Sequence, residues 1–273
     1  PEVDPDRVLL FMPAADGPCR FGQYHRFHRI VLDELGCSQM PVYSPDQTET
    51  MYQEIGMVGK DFDRIAWRGI VAIDLLEKKL WETRPYESNA GDADEVYQHY
   101  LNKVYEASRD RGDVAGALRQ ARLAFEDVAL NGHRDKPVVG IVGEIYTRAN
   151  QFSNENAIRE IEALGGEVWM PPIGEWLLYV DYTAKQQAIA RRRYLLLLQV
   201  FLKGRIQHKE EHRLFELFRG SIRNLHEPPI SETLDLARDY LHPSFEGEAI
   251  LSIGKSRDFF RKGASGLVNI MPF

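Results

Sequence analysis

An α/β fold is what this sequence predicts, and three observations predict it. A compact apolar run, Val8 to Met12, gives way to a breaker-rich loop and then to an amphipathic run with apolar residues at Phe27, Ile30, Val31 and Leu35. The same order recurs from Pro137, where a β-branched run (PVVGIVGEIY) precedes a polar loop, a helical run, a Gly-Gly stop and EVWMP. The chain closes on another apolar run, Leu267 to Phe273, which reads as a strand. Strand, loop, helix, strand is the pattern of a βαβ unit. The expected architecture is two Rossmann- or flavodoxin-like parallel-sheet lobes with inserted helical segments. Residues 1–135 make the first lobe and 136–273 the second, which is cut at its C-terminal end.

Taken in order, the first unit runs from Arg7 to about Pro45, with Met40 to Tyr43 as its second strand. Asp61 to Trp81 carries apolar residues at helical rather than alternating spacing, and Arg84-Pro85 breaks it. Glu95 to Ser108 and Asp113 to Leu130 read as two further helices, the second rich in Ala, Leu and Arg. In the second unit, Thr147 to Asn154 reads as a polar loop and Glu155 to Leu164 as a helix ended by Gly165-Gly166. Trp176 to about Ile222 is helical in pattern. A Pro-rich break, His226 to Pro229, leads to Ser231, a good N-cap for the next helix, and Glu248 to Lys262 is the last.

Composition narrows the function. The 273 residues are 44% hydrophobic and 27% charged, an ordinary globular balance. A net charge of −7 argues against a nucleic-acid surface as the main function. No apolar run approaches the ~18 residues of a membrane span, and the N-terminus has no signal-peptide pattern. Two cysteines give no disulfide framework, so a reducing, cytoplasmic setting is expected. The chain does not begin with Met, and its last run stops like a severed strand. A piece of a longer protein is the expectation.

Sites in open α/β sheets lie beyond the carboxyl ends of strands. Cys19 stands where the first strand hands over to its helix, and a helix N-terminus lowers a thiol's pKa. A buried apolar role competes with a nucleophile, an anion loop and a thiolate metal ligand. His25 and His28 share one helix face, and surface histidines are their simpler reading. Gly17 and Gly22 flank the cysteine, but there is no GxGxxG and no Walker lysine. Cys37 lies beyond the helix, about 20 Å along its axis, so the two cysteines do not share a site. The loop after the second unit's first strand carries Gly143, Glu144, Tyr146 and Arg148. Glu144 reads as a ligand, an acid–base or a cap. The run of Arg191 to Arg193 reads as a solvated face, and Trp176, Tyr179, Tyr182 and Tyr194 as core or interface.

Four strings are less generic: GPCRFGQYHR (Gly17 to Arg26), KPVVGIVGEIYTRANQFSNEN (Lys136 to Asn156), EALGGEV (Glu162 to Val168) and GASGLVNIMPF (Gly263 to Phe273). Together they resemble the 2-hydroxyacyl-CoA dehydratase-like family, and most of all the dehydratase-D-component-like region of long CoA-substrate-specific enzyme activase proteins. The resemblance implies an iron–sulfur cluster, of the 4Fe-4S kind, held between lobes by cysteines at strand ends. Cys19 falls on the motif cysteine and is the implied cluster ligand. Gly17, Arg20, Gly22 and Gly143 are the implied cofactor-binding neighbours, and Glu144 and Tyr146 the implied catalytic residues, polar groups close to the cluster. The family's MPF motif runs on to a further cysteine, whereas this sequence stops at Phe273.

The resemblance also implies a lyase- or reductase-type acyl-CoA chemistry. Water leaves a 2-hydroxyacyl-CoA after one low-potential electron, supplied by an ATP-dependent activase, has made a ketyl radical. An activase region or subunit and an acyl-CoA are the implied partners. Pairing as a dimer is left open, and the chain by itself is expected to be inactive. Two rivals stand beside this: a non-catalytic docking or scaffold domain for an activase or dehydratase, and a thiol-dependent acyl-CoA enzyme using Cys19 directly.

Overall fold

A computed structural model describes residues 4–12, 14, 21–44, 61–132 and 135–271. The chain divides into two compact units, Pro1–Asp63 and Arg64–Phe273. Each holds a small parallel sheet, so the protein is mixed α/β and mostly helical.

In the first unit, β1 (Leu10–Phe11) and β2 (Val42–Tyr43) pair in parallel, Leu10 opposite Val42 and Phe11 opposite Tyr43. Between them runs α1 (Phe21–Glu34). Its end is tied to the returning chain by Arg29, whose guanidinium donates to the carbonyls of Met40 (2.6 Å) and Cys37 (3.1 Å). This is the expected βαβ unit. Cys19, Gly17 and Arg20 lie outside the described residues.

The second unit is built on α2 (Phe62–Thr83), whose Trp67, Val71, Leu75, Leu76 and Leu80 are buried. Against it pack α3 (Asp92–Arg109) and α4 (Val114–Glu126) through Val104, Leu118 and Phe125, and the sheet through Ile141 and Val168. Each such side chain contributes roughly 1.5–3 kcal/mol on burial. The helices between Asp61 and Leu130, assigned by sequence to residues 1–135, thus share a core with the second sheet.

That sheet has the order β4–β3–β5, all parallel, from β3 (Val138–Gly143), β4 (Glu167–Trp169) and β5 (Gly266–Ile270). Two short helices, α5 (Ile145–Ala149) and α6 (Ala157–Ala163), connect β3 to β4. Four helices connect β4 to β5: α7 (Ile173–Ala190), α8 (Tyr194–Phe215), α9 (Ile230–Ala237) and α10 (Glu248–Arg261). Gly140 is required at the centre, because a Cβ there would lie 2.5 Å from both Leu267 Cδ2 and Phe259 Cδ2.

Three local expectations are corrected. The polar loop expected from Thr147 begins instead inside a helix, α5, because the Glu144 carboxylate caps it. The N-cap expected at Ser231 is Pro229, whose carbonyl accepts from Glu232 and Thr233, so Ser231 lies inside α9. The helical stretch from Trp176 breaks after Ala190, where Arg192 takes a φ of +54°. Among the described residues no helix is long and apolar enough to cross a membrane.

Candidate functional site

The order β4–β3–β5 puts a topological switch point between β3 and β5, where open sheets bind ligands. Here the two strands close tightly. Gly143 has a φ of +125°, and a Cβ on it would lie 2.0 Å from the carbonyl oxygen of Ile270. The resemblance implies a cofactor neighbour at Gly143, whereas its geometry is that of a glycine admitting the adjacent strand. Gly22 sits in the first turn of α1, in the other unit.

The four backbone N–H groups after Gly143 are all taken by the chain itself. Glu144 N–H donates to Ile270 O at 2.9 Å. Ile145 N–H donates to Glu248 Oε1 at 3.0 Å. Tyr146 N–H donates to Glu144 Oε1 at 3.2 Å, and Thr147 donates to Glu144 Oε2 through its N–H (2.6 Å) and hydroxyl (2.5 Å). Two carboxylates therefore occupy the position where an anionic ligand would meet a helix N-terminus. Of the readings open for Glu144, the cap is the one its contacts display. Tyr146 is 58% exposed, and its hydroxyl accepts from Asn150 Nδ2 at 3.2 Å.

Behind this cap lies a buried ionic cluster. Arg148 is buried, and its Nε has no hydrogen-bond partner. Burial lowers its pKa, against the opposing charges of Glu175, Glu248, Asp74 and Glu144. With Glu175, Glu248 and Lys255 it lines a cavity of about 10 Å³, room for one water. Lys255, 1% exposed, places Nζ 2.9 Å from Glu175 Oε1, 3.6 Å from Asp258 Oδ2 and against Glu227. Lys78 meets Glu227 from the other side, and Lys262 lies 3.0 Å from Asp258 Oδ2. Three lysines thus face three carboxylates, which is what makes such burial tolerable. Burial pulls the Lys255 pKa down, but Glu227 and Glu175 outweigh it and the net shift is upward. Burial raises Glu175; in Glu227 the lysines outweigh burial and lower it.

The segment carrying Glu227 is held along α2 by polar side chains. Lys79 Nζ donates to Ser221 O and Lys78 Nζ to Asn224 O, each at 2.9 Å. The Glu82 carboxylate accepts from the backbone N–H of Arg223 (2.9 Å) and Asn224 (3.1 Å).

Glu175 and Glu227 also line a larger cleft of about 220 Å³. Its walls include Val71, Leu178, Phe215 and Ile230, and its polar lining adds Asp74, Glu211, His208, His212 and His226. Asp74 caps α7, accepting from Ile173 N–H at 2.8 Å and Gly174 N–H at 2.9 Å. Burial pushes Asp74 up to about 6. Burial, with the charge of Asp74, pushes Glu211 up to about 7. Both carboxyls are therefore held above the ordinary carboxylate range.

The sequence pattern does not single out Asp74, Glu175, Glu211 or Lys255. The signal was present in part: Asp74 interrupts the apolar run Ile70 to Leu76, and Lys255 sits on the inward face of α10.

The described residues include one thiol, Cys37, half-buried, with Sγ 3.7 Å from Leu35 O. Among the described residues no three His, Cys, Asp or Glu side chains converge as a metal-binding group. No thiolate set for a cluster is therefore assembled from them. No family model, no curated protein and no solved structure matches this chain.

Proposed function

We propose that this chain is a supporting part of a 2-hydroxyacyl-CoA dehydratase-like iron–sulfur system that moves low-potential electrons, with Cys19 as its cluster thiolate. One observation carries the reading. Three of the four strings that bear the resemblance meet in one parallel sheet: Lys136–Asn156 supplies β3, Glu162–Val168 runs into β4, and Gly263–Phe273 supplies β5. Strings over 100 residues apart in sequence thus form one structural unit, as the lobe of such a protein requires. In the finer form of this proposal, each of the two small sheets is the centre of a Rossmann- or flavodoxin-like lobe. When bound, a cluster supplies one-electron chemistry.

The part assigned to this chain is docking and support rather than acid–base catalysis. The specific observation is that Glu144 is spent on the cap of α5. The test is anaerobic iron and sulfide analysis, with absorption and electron paramagnetic resonance spectra, on the full-length protein. A cluster that disappears with Cys19→Ala supports the proposal. A protein that stays iron-free after anaerobic reconstitution overturns it.

A further inference from the structure

From the charge and apolar pattern of α8 we infer that its outer face docks a partner protein segment with an apolar centre and carboxylates at both ends. Along this helix Tyr194, Leu195, Leu198, Phe201, Leu202 and Ile206 are each between 51% and 82% exposed. Their spacing, mostly of three and four residues, puts them on one face over residues 194–206 of the helix. Scattered exposed apolar residues are ordinary, but a contiguous row of six is the mark of an interface.

Charge brackets the row. Arg191 and Arg192 precede it, Arg205 lies over the Phe201 ring near its end, and Lys209 and Arg213 continue its line beyond Ile206, all of them exposed. From Tyr182 to Arg213 the only acids are Glu210 and Glu211. Glu210 is buried and accepts from Arg64 and Arg68, and Glu211 is half-buried at the inner cleft. A basic, apolar face on a protein of net charge −7 is a local reversal of sign. Such a reversal selects an acidic partner.

The same pattern argues against two other occupants. A second copy of α8, laid parallel or antiparallel, would set arginine and lysine against arginine and lysine at both ends. A helix lying in a bilayer surface carries its cations beside the apolar face. Here Arg205, Lys209 and Arg213 follow Leu198 and Leu202 in file, where a bilayer-bound helix would bury them. A protein segment with matching acidic ends meets both features. This inference does not depend on the cluster.

The test uses the whole chain and two synthetic helical peptides of the length of α8. Both share a Leu/Phe centre; one carries glutamates at its ends and the other lysines. Fluorescence anisotropy is expected to show the glutamate peptide binding about tenfold or more tightly than the lysine peptide, and weakening as salt rises. Arg192→Glu with Arg205→Glu, and separately Leu198→Ser with Leu202→Ser, are each expected to abolish that preference while leaving far-ultraviolet circular dichroism unchanged. Equal binding of the two peptides, or binding of neither, overturns the inference. So does co-sedimentation with phosphatidylserine vesicles that the leucine variants abolish, or a dimer in light scattering that they convert to monomer.

Discussion

Glu248 Oε1 accepts the backbone N–H of Ile145 at 3.0 Å, so a side chain from α10 closes the first turn of α5. Together with the Glu144 carboxylate it fills the anion position at the carboxyl end of β3. The end of a parallel strand is the customary place for a ligand, and here it is occupied from within. Four predictions test this arrangement and the charged interior behind it.

Glu144→Ala removes the acceptor for two backbone N–H groups and the Thr147 hydroxyl. A loss of roughly 1–2 kcal/mol is expected in urea unfolding. On the proposed iron–sulfur reading, iron content and turnover per folded molecule should be unchanged. Turnover lost without loss of stability would return Glu144 to the role of acid–base.

Gly143→Ala forces a side chain into the space held by Ile270 O, at a φ of +125°. The cost should be at least about 2 kcal/mol, felt as a lowered denaturation midpoint. Gly36 also has a positive φ (+72°), but with nothing within 4 Å of a new Cβ. Gly36→Ala should therefore be the milder change, and equal effects would contradict the close packing of β3 on β5.

Lys255→Met leaves Glu175 and Glu227 without their shared cation. Breaking a buried pair on one side costs roughly 3–5 kcal/mol. Adding Glu175→Gln to Lys255→Met should restore part of that loss, because the stranded charge is removed with its partner. Additive losses in the double variant would show that the two residues do not interact.

Stability should fall as pH rises through neutrality. Glu211 is pushed from an ordinary 4.5 to about 7 and Asp74 from 3.8 to about 6, both by burial. The folded chain then holds more protons than the unfolded chain between those values, so each group loses stability as pH climbs across its window. Glu210 acts in the opposite sense. Its arginine partners hold it down at about 2, and its contribution is lost only in acid. Thermal melts should show the midpoint dropping between about pH 5 and pH 8. Glu211→Gln should flatten that slope between 4.5 and 7. A variant with the wild-type slope would remove Glu211 as its source.

The sequence by itself determined most of the elements. The two βαβ units were legible because a short β-branched run and a helical run differ in period, and because Gly36 and Gly165-Gly166 mark where helices stop. The terminal run was legible as a strand for the same reason. Its place beside β3 was not, since register between strands over 100 residues apart is set by the faces they bury. Only the tertiary structure decided that Glu248 closes the turn that Glu144 caps, that Gly143 admits Ile270, and that Lys255 meets Glu175 and Glu227. Local pattern says which residues prefer a helix. Whether a charged side chain is solvated or paired depends on which distant segment folds over it, and the cost of burying it unpaired is what holds that segment in place.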